Sequence, residues 1–188
     1  MALLSAILRL AKGVAGLLPG VVAMAAAPPL AAAGTASLEY AVKASYLYKF
    51  APFVEWPPRA FAAPDGPLRI CISGIDPFGA MLADAVKGQQ VEGHPMTVEH
   101  PDTPAAMAQC HILFVGRSDD RPPAELLRAV AGRPVLTVTD RSRGVAGGMI
   151  EFTFVDGRVR FVIDNAAATA NGVQISSKLL QLAVKVVR

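Results

Sequence analysis

Leu68-Arg69-Ile70-Cys71-Ile72-Ser73-Gly74-Ile75-Asp76-Pro77-Phe78-Gly79 is the stretch from which the fold can be read. Six residues of mostly branched, apolar character read as a buried strand that stops at Gly74. Asp76-Pro77 then has the form of a helix start, with Asp as cap and Pro in the first turn, and Phe78, Met81, Leu82 and Val86 follow at helical steps. The same alternation continues towards the C-terminus. A short strand is expected around Met96-Thr97-Val98, a short helix opening at Thr103-Pro104, a strand over 110–115 closed by Gly116, a helix over 122–131 and a strand over 134–139. Short apolar strands alternating with short helices predict an α/β fold: a single domain with a mostly parallel sheet and helices on both faces.

Beyond Thr139 the pattern changes. Residues 149–155 and 158–163 alternate apolar and polar around Asp156-Gly157, so a C-terminal antiparallel hairpin is expected. A two-residue turn there pairs Val155 with Arg158, Phe154 with Val159, Phe152 with Phe161 and Ile150 with Ile163. Asp164 should cap an alanine-rich helix, and Ile175, Leu179, Leu182 and Val186 recur at helical spacing behind a start at Ser176 or Ser177.

Upstream, residues 39–58 hold all 3 tyrosines, the 1 tryptophan and Phe50 and Phe53 of the 8 phenylalanines. Val42, Tyr46, Phe50 and Phe53 form one apolar row at helical steps; Tyr40, Ala44, Leu47, Ala51 and Val54 form another. Only Glu39, Lys43 and Lys49 mark a wet side. Pro52 should stop the helix near Ala51, leaving Phe53, Val54 and Trp56 on an exit stiffened by Pro57 and Pro58. Two apolar rows and a terminal tryptophan exceed what a small core needs, so Phe50, Phe53 and Trp56 are expected to carry partner or self-association contacts.

Residues 1–33 read as a signal peptide, leaving one domain over 34–188. Arg9 and Lys12 precede a run of 22 uncharged residues, 13–34, and both Ala31-Ala32-Ala33 and Ala23-Met24-Ala25 offer small-residue cleavage sites. A membrane anchor is the competing reading, opposed by Pro19-Gly20 and Pro28-Pro29 inside the run. The chain carries 18 Lys and Arg against 15 Asp and Glu; without Arg9 and Lys12 the balance is 16 − 15 = +1. No basic cluster interleaved with aromatics occurs, and nucleic acid is not an expected partner.

No constellation for catalysis emerges, and the chain is read as a non-enzyme without cofactor or metal. His94, His100 and His111 have no metal-ligand spacing. The turn after the first strand lacks GxGxxG and puts Asp76 where phosphates would bind. Gly144 to Gly148 precede a strand rather than a helix, and Asp140 and Asp164 end strands, where acids serve as turn and cap residues. The 2 cysteines, Cys71 and Cys110, are either a pair in an exported protein or two small buried thiols.

Tyr40-Ala41-Val42-Lys43-Ala44 through Tyr46-Leu47-Tyr48-Lys49-Phe50-Ala51 and Phe53-Val54-Glu55-Trp56-Pro57 resembles the opening helix of the YfiR family of periplasmic proteins. Leu68 to Ile72 with Asp76-Pro77-Phe78-Gly79, Cys110 to Phe114, Gly147-Gly148-Met149-Ile150 and Ile175-Ser176-Ser177-Lys178-Leu179-Leu180 extend the resemblance in the same order. It implies an exported α/β regulator in the periplasm that inhibits a membrane-bound diguanylate cyclase, and so acts on cyclic di-GMP signalling, by contacting the cyclase's periplasmic part. It also implies an outer-membrane lipoprotein as a sequestering partner; a homodimer is expected as well, from the surplus apolar surface around Phe50, Phe53 and Trp56. The family's cysteine pair matches Cys71 and Cys110. A doubly wound sheet, whose first strand commonly lies between the second and third, makes their strands neighbours. Any second bridge of relatives is absent. The alternative is a periplasmic small-ligand sensor feeding a sensor kinase or transport system, with Arg59, Ser176 and Lys178 as polar contacts.

Overall fold

The computed structural model describes residues 30–188, with side chains from Ser37 onward. The targeting segment expected over 1–33 falls outside the described residues except for its last four. No helix among the described residues is long and apolar enough to cross a membrane.

In chain order the elements are α1 (Leu30–Phe50), β1 (Val54–Glu55), β2 (Leu68–Ser73), α2 (Ala80–Val86), β3 (Gln90–Val91), β4 (His94–Glu99), α3 (Pro104–Met107), β5 (Ile112–Val115), α4 (Pro123–Ala129), β6 (Leu136–Asp140), β7 (Ile150–Val155), β8 (Arg158–Asp164), α5 (Asn165–Ala170), β9 (Gln174–Ile175), α6 (Ser177–Leu182) and β10 (Lys185–Val187). Eight strands form one sheet in the order β10-β8-β7-β6-β5-β2-β4-β3, and β1 pairs with β9 apart from it. The run from β4 to β7 is parallel throughout, while β7–β8 is antiparallel. The fold is thus a single α/β domain with a mostly parallel sheet and a C-terminal antiparallel hairpin.

Strand periodicity decides which side chain meets which layer. Ile70 and Ile72 of β2, and Ile112 and Phe114 of β5, point to the face covered by α1, α2, α5 and α6, where they join Leu47, Phe50, Leu82, Ala168 and Leu179. Cys71, Leu113 and Val115 point to the other face and pack on Met107 of α3, Leu126 of α4 and Val130 just beyond it. Both faces are covered, which is why β2 and β5 read as continuous apolar runs.

The hairpin has the register expected from its turn, from Val155↔Arg158 to Ile150↔Ile163. Asp156 (φ 50°) and Gly157 (φ 69°) both take positive φ, as a type I′ turn demands and as Asp-Gly tolerates. Asp164 accepts from the Ala167 N–H and Ser176 from the Leu179 N–H, each capping its helix as anticipated.

Two local expectations are corrected. Helix α2 begins at Ala80 rather than at Asp76-Pro77: the Asp76 carboxylate accepts from the N–H groups of Phe78 and Gly79 in a tight turn, and Gly79 at φ 53° keeps the helix from extending backwards. The C-terminal helix ends at Leu182, which is 62% exposed, and β10 follows parallel to β8. Val184, Val186 and Val187 are β-branched and prefer the open edge of β8 to another helical turn. Strands β1 and β9 have two residues each, too few to carry a period.

Cys71 and Cys110 form a disulfide with Cα atoms 5.9 Å apart, tying β2 to the residues just ahead of β5. It closes a loop of 39 residues, for which the chain-entropy relation gives up to about 4 kcal/mol. Reduction, or the Cys71→Ser/Cys110→Ser pair, should therefore lower the free energy of unfolding by up to that amount, with a lower denaturation midpoint, without changing the fold. Urea titration of oxidised and reduced protein measures it, and coincident curves would show that the bridge adds nothing.

Candidate partner-binding groove

In open parallel sheets, ligands bind outside the carboxyl ends of the strands, where the winding reverses. Here that point lies between β2 and β5, because the chain runs from β2 to β4 on one side and from β5 through β6 to β7 on the other. The crevice is closed by backbone. The Ile75 N–H donates to the Arg117 carbonyl at 2.6 Å and the Gly116 N–H to the Ser73 carbonyl at 2.9 Å. A Cβ on Gly74 would lie 2.5 Å from the Arg117 oxygen, and one on Gly116 2.5 Å from the Ile75 oxygen, so both positions require glycine. The remaining hollow, about 80 Å³ between Tyr40, Phe114, Asp140 and Arg143, is well below the ~300 Å³ at which small-molecule pockets begin.

Above it lies a buried ionic cluster. Lys43 is fully buried rather than marking a wet side as its sequence position suggested. Its Nζ donates to the Glu39 carboxylate, to Asp140 Oδ2 at 2.5 Å and to Ser142 Oγ at 3.2 Å. Ser142 donates to Asp140 Oδ1 at 2.5 Å, and Arg143 donates to Glu39 Oε2 at 2.7 Å. Two cations thus meet two carboxylates. Burial pushes the Glu39 carboxyl up, but hydrogen bonds from Lys43 and Arg143 outweigh it and hold the group below its ordinary value. Asp140 ends β6 as the sequence indicated, but its role is to receive a helix lysine. The available signal was Lys43 lying between Val42 and Ala44 in an apolar row, one turn after Glu39.

Because Lys43 faces the sheet, the neighbouring row of α1 turns towards the hairpin and runs out of the core. Along steps of four, Phe50 is 1% exposed, Tyr46 half-buried, Val42 36% and Leu38 68% exposed. The core-facing row of β7 runs out the same way, from Ile150 and Phe152 at 0% to Phe154 at 42%. Between the two rows lies a groove of about 740 Å³, floored by Leu38, Val42, Tyr46, Phe154 and Val159 and rimmed by Arg143, Arg158 and Arg160. A shallower hollow of about 380 Å³ continues along α1 past Ser45 to Lys49.

The residues expected to anchor a partner lie at the opposite end of α1. Phe50 packs on Phe152 and Phe161 at ring-centroid distances of 6.0 and 5.2 Å and has no surface to offer. Phe53 is half-buried against the core. Trp56 is half-buried, and its indole N–H donates to the His111 carbonyl at 3.1 Å. The His111 ring is buried beneath Phe61, 4.3 Å away. Its Nδ1 accepts from the Arg69 N–H at 3.0 Å, so the neutral ring carries its proton on Nε2, which has no partner. Burial, then the charges of Arg69 and His94, hold its pKa down to about 4. Arg59 and Lys178 are exposed, and the Ser176 hydroxyl is occupied as a helix cap. The cavity beside α5 and α6 takes Ser177 into its wall, not Ser176 or Lys178.

The α/β domain thus pairs a crevice closed by backbone with an open apolar groove elsewhere on its surface. The family described as YfiR/HmsC-like matches residues 40–184, and the chain belongs to it.

Lys43→Met should cost roughly 3–5 kcal/mol near pH 7, because it strands the buried Asp140 carboxylate and takes one partner from half-buried Glu39. The wild-type Glu39 contribution, from a lowered folded pKa, is present above the ordinary carboxylate range and lost as pH falls through it. The gap between wild type and variant should therefore narrow below about pH 4.5. Equal stability at pH 7 would dismiss the cluster as a constraint.

His111 gives the second test. The folded ring titrates at about 4 against 6.5 unfolded, so the unfolded chain binds the extra proton between those values. Stability should fall by roughly 3 kcal/mol as pH drops through that window. His111→Asn keeps an acceptor for the Arg69 N–H but cannot titrate, and its stability should be flatter from pH 6.5 to 4. An unchanged slope would place the titration elsewhere.

Proposed function

We propose that the chain is an exported regulatory binding protein, not an enzyme, that restrains a membrane-bound diguanylate cyclase by contacting its periplasmic part. The observation that carries this reading is the pair of apolar rows, Phe50-Tyr46-Val42-Leu38 and Ile150-Phe152-Phe154, leaving the core side by side to form a groove. Large apolar side chains exposed together mark interaction sites. Membership in the YfiR/HmsC-like family supports a periplasmic regulator of cyclic di-GMP signalling. The closed crevice supports regulation by contact rather than turnover. On this reading an outer-membrane lipoprotein that sequesters the chain would relieve the restraint.

Removing the protein from its native cell should raise cyclic di-GMP, and restoring it should lower it again. Leu38→Asp/Val42→Asp changes exposed positions and should stay within about 1 kcal/mol of wild-type stability while failing to lower cyclic di-GMP. A level of cyclic di-GMP indifferent to the protein's presence would refute the reading.

A further inference from the structure

We propose that the groove receives an acidic amphipathic segment of the partner, about three helical turns long. This rests on the reading of the chain as a regulator that acts by protein contact, and it names the chemistry of what is contacted.

The charge around the groove is one-sided. Arg143, Arg158 and Arg160 stand on its rim, and Lys49 lies at the far end of the hollow that continues it. The single acid in the lining, Glu39, is already held by Lys43 and Arg143. Across the hairpin, Arg158 pairs with Val155 and Arg160 with Thr153, so neither arginine faces an acid on the opposing strand. Glu151, further down β7, is occupied by Arg141 and by the Gly147 N–H at 2.6 Å. Among the described residues, Arg158 and Arg160 therefore have no carboxylate partner. Both arginines alternate with Val159 along β8 and so border the apolar floor from its β8 side, an arrangement that fits a helix whose apolar stripe is bordered by Asp and Glu.

Length and shape narrow the occupant further. The α1 wall from Leu38 to Lys49 holds 12 residues, whose 11 steps rise about 16 Å at 1.5 Å per residue, which matches three turns. The surface is concave, whereas a lipid surface is met by protruding apolar side chains. A second copy docked about a two-fold axis would bring Arg158 and Arg160 towards an equally basic rim.

The test places p-benzoylphenylalanine at Val42 in the full chain, in its native cell. Irradiation and mass mapping should give an adduct to the periplasmic part of a membrane protein, within a segment where acids flank apolar residues at helical spacing. Arg158→Glu/Arg160→Glu should keep the melting temperature and lower adduct yield roughly tenfold, and lysines replacing the acids of the captured segment should restore it. Adducts only between copies of this chain would overturn the proposal, as would binding to phosphatidylglycerol vesicles without any protein adduct. An adduct yield indifferent to charge reversal would also overturn it. If the charge-reversed chain still lowers cyclic di-GMP, the acidic-segment inference falls while the regulatory reading stands; if the unmodified chain never changes cyclic di-GMP, the regulatory reading itself falls.

Discussion

The Lys43 ammonium, fully buried between Glu39 and Asp140, fixes how α1 lies on the sheet. Burying such a pair is rarely a net gain over apolar packing, because both partners lose their hydration. Its effect here is geometric: only one rotation of the helix brings Lys43 to the end of β6. That rotation lays Ala44, Leu47 and Ala51 on the core and puts Tyr40 over the crevice between β2 and β5. It also turns Val42 and Leu38 towards the hairpin. A helix with apolar side chains around much of its circumference has several nearly equivalent ways to lie on an apolar sheet. One lysine with a single place to go removes the ambiguity.

The groove is a consequence of that choice. With the helix rotation fixed, the second apolar row cannot be covered by the sheet, because the hairpin tip extends past the layer it packs against. Phe152 is covered by Tyr46 and Phe50; Phe154, two residues later on the same face, is not. The site therefore lies between an element from the start of the described chain and one from near its end, away from the strand termini where α/β proteins usually hold ligands. There, the backbone contact of Gly74 with Arg117 and of Gly116 with Ile75 leaves no cradle.

Much of this was legible in the sequence, and the gaps have physical causes. Strand 68–73, the strand expected over 134–139 and found at 136–140, and the hairpin register followed from apolar runs, alternation and Asp156-Gly157, because those signals are local. The surplus of apolar surface on α1 was also legible, but its location was not. Aromatic size drew attention to Phe50 and Trp56, whereas exposure is set by what the sheet can reach, and it reaches the end of the helix nearest Pro52. Lys43 looked solvated because a lysine's charge says nothing about an aspartate 97 residues away. Val186 fitted a helical step as well as a strand, and the open edge of β8 settled it.

Placing the cations around the groove also determines how the surface can discriminate. Residues 34–188 carry 16 − 15 = +1, so this part of the chain exerts little long-range pull on a charged partner. The rim arginines act within a Debye length of about 8–10 Å, too short to gather partners from a distance but well matched to groups already brought to the groove by apolar contact. Under those conditions charge serves selection: a segment with apolar side chains but no acids would leave Arg158 and Arg160 to be desolvated without compensation, and one with lysines would meet them directly. The apolar floor supplies attraction that many amphipathic helices would share. On the proposed reading, which of them stays is decided at the rim, of which Arg143 is held by Glu39 and Glu39 by the buried lysine.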